Sequence, residues 1–119
     1  MQATQNVSGA AITGTAVTIA ELADITGPAI VRGVVGGLTA LAAAESVTLT
    51  LIRTDTSAVI ATSIFTNSGA GASAGGPLIV EGYVPAGSAY GVALQILGSV
   101  ATGAWTATAT NPVTLSQLP

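Results

Sequence analysis

The sequence predicts an all-β protein, an antiparallel β-sandwich of about seven to eight strands, and three observations predict it. Apolar residues recur at every second position in one short run after another, which is the period of a strand with one buried face. Those runs are separated by Gly, Pro, Asn, Asp and Ser turn signals. The one stretch that competes for helix, Leu38-Thr-Ala-Leu-Ala-Ala-Ala-Glu45, is too short to hold a helix alone and reads as a single turn or an irregular crossover.

The clearest local pattern lies at 77–97, read as a β-hairpin. Leu78, Val80, Gly82 and Val84 share one parity of the first arm, and Tyr90, Val92, Leu94 and Ile96 share one parity of the second. Between the arms, Pro85 presets φ and Gly87 supplies the positive φ of a type II turn. The opposite parity, Ile79, Glu81 and Tyr83 followed by Ala89, Gly91, Ala93, Gln95 and Leu97, is apolar and small rather than charged. Such a face is suited to contact with another sheet or another subunit.

The remaining elements follow in order. Met1–Ser8 is polar and unpatterned, and reads as an N-terminal arm. A β-branched strand is predicted over about 11–20, and Asp24-Ile-Thr-Gly-Pro28 ends it because Gly-Pro interrupts a strand. Ala29–Gly37 is a second strand, apolar on both faces, with glycines where another backbone approaches. Ser46–Thr54 alternates cleanly and pairs across the polar turn 53–57 with Ala58–Phe65, a second hairpin. A Gly/Ala/Ser loop, Thr66–Gly76, connects the two hairpins. A last strand spans Ala104–Thr110, and 111–119 leaves as a C-terminal tail. The domain is therefore placed at 9–110, and strand order is not readable at this level.

Composition narrows the function. At 119 residues the chain is one domain. Hydrophobic residues make up 50% but aromatics only 3%, so the core is built from Ala, Val, Ile and Leu. Charged residues are 6% of the chain, against about 25% in ordinary soluble domains. A surface of Thr, Ser, Ala and Gly implies cover by copies of the chain or by a larger assembly, since freely diffusing monomers use mixed charge to stay apart. With two arginines, no lysine and a net charge of −3 there is no footprint for nucleic acid. No apolar run reaches the roughly 18 residues of a spanning helix, and no secretory leader is visible.

Catalysis is not expected. Without His or Cys, a Ser-His-Asp or Cys-His arrangement and imidazole- or thiolate-bound zinc are both excluded. Glu21, Asp24 and Asp55 are of the residue type for a calcium site or a glycosidase-like pair, but calcium loops concentrate more oxygen ligands than this. No cofactor and no metal site is assigned. The Thr-x-Thr steps, as at Thr48/Thr50 and Thr106/Thr108, lack the fixed repeat of an ice-binding solenoid and read as solvated strand faces.

Taken together, the cysteine-free, nearly charge-free pattern of short strands, the Gly/Ala/Ser loop and the run Val80-Glu-Gly-Tyr-Val-Pro-Ala-Gly-Ser-Ala-Tyr90 resemble the jelly-roll decoration, or cement, proteins of tailed-bacteriophage capsids. The resemblance is one of architecture and spans residues 29–110. It implies a jelly-roll-like sandwich and a non-enzymatic virion protein that forms homo-oligomers, trimers favoured, on the outer capsid surface after assembly in the host cytoplasm. It also implies the major capsid protein as partner, with the subunit bridging its neighbours and stabilising the shell. Candidate interface residues are Arg32, Arg53, Glu81, Tyr83, Trp105 and Leu118, with Glu81 assigned to meet an arginine of a neighbour. The alternative is a carbohydrate or cell-surface binding module on a fibre or envelope, with Tyr83, Tyr90 and Trp105 as stacking residues.

Overall fold

The structure, a computed structural model, describes residues 2–5, 10–12, 15–35, 38–41, 46–66, 73–75, 78–98, 105–107 and 113–118, with side chains described in 15–35, 46–66, 78–98 and 113–118. Among the described residues every regular element is a strand. In chain order these are β1 (Gln2–Gln5), β2 (Ala10–Ile12), β3 (Val17–Thr26), β4 (Ala29–Val35), β5 (Leu38–Leu41) and β6 (Ser46–Arg53). They are followed by β7 (Val59–Thr66), β8 (Ser73–Gly75), β9 (Leu78–Val84), β10 (Ala89–Gly98), β11 (Trp105–Ala107) and β12 (Val113–Leu118).

The pairing follows one rule. β6 pairs with β7, β5 with β8, β4 with β9, β3 with β10, β2 with β11 and β1 with β12, all antiparallel. The chain is thus one long two-stranded ribbon whose tip is the β6–β7 hairpin. Wrapping the ribbon on itself adds the contacts β12–β4, β10–β6 and β11–β5, giving sheets ordered β1-β12-β4-β9, β3-β10-β6-β7 and β2-β11-β5-β8. The first two sheets are the layers of the sandwich. Their nested order is that of a jelly roll, the fold the sequence predicts. The third sheet pairs the short strands β2, β11, β5 and β8, each of which lies in sequence between a strand of one layer and a strand of the other.

The core lies between the first two sheets. Val31, Val35, Val80, Val84, Val113 and Leu115 from one layer meet Ile25, Val47, Leu49, Leu51, Val92, Leu94 and Ile96 from the other, all buried. These are the inward parities of their strands; the alternation is unbroken on the buried side of β4 and from Val47 to Leu51 of β6, and in β9 it is interrupted by the partly exposed Gly82. In β3 it shifts: Ala20 and Leu22 are buried, and the next buried residue is Ile25. The pairing explains the shift. Tyr90 faces Ile25 and Val92 faces Leu22, so β3 carries an extra residue there, a bulge in which Asp24 adopts φ 56°.

Four expectations change. First, 77–97 is not a hairpin: β9 bonds to β4 in one layer, while β10 bonds to β3 and β6 in the other. A tight turn is present with Gly87 at φ 84° as predicted, but Ser88 N–H donates to Pro85 O at 3.2 Å, so the first corner is Ala86 and Pro85 precedes it. The turn serves as a corner where the ribbon passes from one layer to the other, and Gly27 N–H bonds Ser88 O at 2.8 Å to hold the two strands of the ribbon together through the bend. Gly27–Pro28, a cis peptide, is the corner of the companion strand. Second, β3 runs through to Thr26, past the predicted end at residue 20.

Third, Leu38–Leu41 is strand β5 and not a helical turn or irregular crossover, because it has a β11 partner to satisfy its backbone. Fourth, residues assigned to an N-terminal arm and a C-terminal tail form β1 and β12. β12 lies inside its sheet between β1 and β4, with Val113 and Leu115 fully buried. The β6–β7 hairpin stands as predicted, closed by Arg53 N–H to Ala58 O and Ser57 N–H to Arg53 O, both 2.9 Å. Most of the 66–76 loop lies outside the described residues.

Candidate functional site

Four of the six candidate interface residues come together on the outer face of one layer. β4 and β9 run side by side with Ile30 opposite Tyr83, Arg32 opposite Glu81 and Val34 opposite Ile79. Inward positions on both strands belong to the core, so these six residues are the outward parity. β12 extends the rows, placing Leu118 beside Ile30, Ser116 beside Arg32 and Thr114 beside Val34. The face therefore reads apolar, charged, apolar along the strands. Ile30 is 44% exposed, Ile79 45% and Tyr83 55%. Shallow depressions lie along it, one lined by Pro28, Ala29, Ile30, Tyr83 and Leu118, another by Ile30, Glu81, Gly82 and Tyr83.

At the middle of this face Arg32 Nη2 meets Glu81 Oε2 at 3.2 Å, so the arginine assigned to Glu81 belongs to the adjacent strand of the same chain. Both side chains are nearly half exposed, and such a pair adds little stability because water screens it. The contact uses one guanidinium nitrogen. Arg32 Nε is buried and has no hydrogen-bond partner.

Arg53 stands elsewhere, at the tip of the ribbon. Its Nε and Nη2 donate to Asp55 Oδ1 and Oδ2 at 3.0 and 2.7 Å, a bidentate pair, and its guanidinium carbon sits 4.1 Å from the centroid of the Tyr90 ring. The Arg53 hydrogen bonds hold the Asp55 carboxyl below its ordinary value, and the same contact raises Arg53. This cluster fastens the turn to β10, together with Thr54 N–H to Gly91 O at 3.0 Å. Trp105 is on β11, in the third sheet; its side chain lies outside the described residues.

The opposite layer presents a second broad face. Leu97, Thr48 and Ile64 form one row across β10, β6 and β7, Gln95, Thr50 and Thr62 the next, and Ala93, Ile52 and Val59 a third. Ile64 is 66% exposed and Val59 64%. Gln95 Nε2 donates to Thr18 Oγ1 at 3.2 Å, and Glu21, opposite Ala93 on β3, is the charged group of these rows. Sequence reading flagged neither Ile30, Val34, Val59 nor Ile64 as surface residues. The signal for the first two was present, since β4 is apolar on both parities and only one parity can enter a sandwich core.

Among the described residues, no group of three or more acidic side chains gathers as a metal site would require. Compared with known proteins, the chain matches no protein-family model and no curated protein sequence.

Proposed function

We propose that this chain is a non-enzymatic structural subunit of a virus particle, a capsid decoration or cement protein that associates with copies of itself and braces the shell by bridging neighbouring capsid proteins. The observation that carries the reading is that both broad faces of the jelly roll expose large apolar side chains and, among the described residues, carry few charges. Ile30, Ile79 and Tyr83 stand out on one face, and Val59 and Ile64 on the other. Monomers that work alone in water rarely leave contiguous apolar patches uncovered. A subunit that bridges needs two separate contact surfaces, and a sandwich with two such faces supplies them. Many weak contacts of this kind act together on a repeating shell, so that attachment is firm although each contact is small.

Both arginines are tied within the chain, so contacts made at close range, and not long-range steering, select the partner. The test is co-sedimentation of the purified protein with capsids produced from the same genome, followed by heating of stripped and re-decorated particles. Saturable binding and a higher temperature of genome release after re-decoration are the expected results. A stable monomer that ignores capsids and binds a glycan array would replace this reading with a carbohydrate-binding module, for which Tyr83 is the exposed aromatic among the described side chains.

A further inference from the structure

We infer that the outer face of β4 and β9 is a homotypic contact, packing against the same face of a second copy about a twofold axis that runs along the strands between β4 and β9. The inference deepens the reading above by assigning one of the two faces to self-association. Its basis is the charge pattern. Arg32 and Glu81 are directly opposite one another and, among the described side chains of this face, are the charged residues among apolar and hydroxyl-bearing ones. A neutral apolar partner would have to desolvate both charges without returning anything to them. A partner that compensates both must offer a carboxylate over Arg32 and a cation over Glu81.

The same face, turned over, does so. Of the twofold axes lying in the plane of contact, only the perpendicular bisector of the Arg32–Glu81 pair exchanges the two positions, and that line runs parallel to the strands. The rest of the face then falls into place without further choice. Ile30 of one copy lies over Tyr83 of the other, Val34 lies over Ile79, and each contact occurs twice, as an isologous interface requires. Arg32 uses a single terminal nitrogen toward its own Glu81 and its side chain is 42% exposed, so the outward end of the guanidinium can meet a second carboxylate.

The six central side chains per copy fall well short of the roughly 20–30 residues a side of a standard interface. The contact is accordingly weak and concentration-dependent in solution. It closes on two copies, so the face geometry favours a pair where the resemblance implies a trimer.

Sedimentation of the full-length protein without particles tests this directly. Wild type is expected to shift from monomer to dimer with rising concentration, and R32E and E81R, each shown to be folded by circular dichroism, are expected to stay monomeric over the same range. Mixed one to one, R32E and E81R should form a heterodimer, because each then meets an opposite charge at both positions. Restoring the pair inside one chain cannot produce that result. A wild type that is monomeric throughout, single variants that dimerise like wild type, or a mixture that stays monomeric would each overturn the homotypic contact. Capsid co-sedimentation of the same variants reads the decoration role separately, since a monomer that still binds shells loses only this inference.

Discussion

Gly33 on β4 and Leu94 on β10 meet across the middle of the sandwich: a Cβ added to Gly33 would stand 2.8 Å from Leu94 Cδ1 and 3.0 Å from its Cδ2. Leu94 is fully buried, and Val80 Cγ1 closes the same space at 3.3 Å. The glycine is needed here for close approach of the layers.

Gly33→Ala therefore overpacks the core and is expected to lower stability by about 1–3 kcal/mol. Urea denaturation would read this as a lower midpoint at an unchanged slope. Because the clash is with Leu94, the Leu94→Ala truncation should cost less in the Gly33→Ala background than in wild type, a non-additivity of neighbours in contact. Strict additivity would show that the strain lies elsewhere.

Leu115 distinguishes an inner strand from a tail. Fully buried in β12, it is expected to cost about 2–5 kcal/mol when truncated to Ala. A thermal melt indistinguishable from wild type would mean that 113–118 does not pack as β12.

Gly87 tests backbone conformation apart from packing. Its φ is 84° and no atom lies within 4 Å of the position a Cβ would take, so Gly87→Ala introduces strain but no clash. The expected loss is about 1–2 kcal/mol, that of forcing an L residue into a left-handed conformation. Gly87→Asn should cost less, since Asn tolerates that region better. Equal losses for both would point to a side-chain contact at the corner.

Asp55 gives a pH dependence whose sign follows from its pair with Arg53. Its carboxyl is held below the ordinary 3.8 in the folded chain, so the native state favours the ionised form. That contribution is fully present above the unfolded-state value and is lost as pH falls through the lower folded-state value. Asp55→Asn should melt below wild type at neutral pH, with the gap closing in the acid range under about pH 4. Exposure of the pair keeps the effect small. A gap that stays constant from pH 7 to strongly acid conditions would mean that the charge contributes nothing.

The 77–97 stretch separates what a local sequence encodes from what the whole core decides. Both arms are strands, the Leu78–Val84 parity of β9 and the Val92–Ile96 parity of β10 face the core, and a turn at Pro85–Ser88 exists. The strands joined by this turn do not bond to each other, since β9 pairs with β4 and β10 with β3 and β6. A reversal of direction satisfies the turn residues equally well at a hairpin tip and at a corner between layers, and nothing within the turn distinguishes them. The same limit hid β12, because Val113-Thr-Leu-Ser-Gln-Leu118 is too short to signal burial until β1 and β4 stand on either side of it. Of the candidate interface residues, Glu81 and Tyr83 were visible on the outward parity of β9. Their alignment with Arg32 and Ile30 depends on β4 lying next to β9.

Local chemistry determined the strands, their buried parity, the turns, the all-β class and the shortage of charge, because each of these is written in residues a few positions apart. The tertiary structure alone decided which strands pair, that the chain folds as one nested ribbon, and that Arg32 and Glu81 face each other 49 residues apart. Backbone hydrogen bonds are the same for every sequence, so the choice of partner strand is made by the packing of the whole core and not by any segment within it.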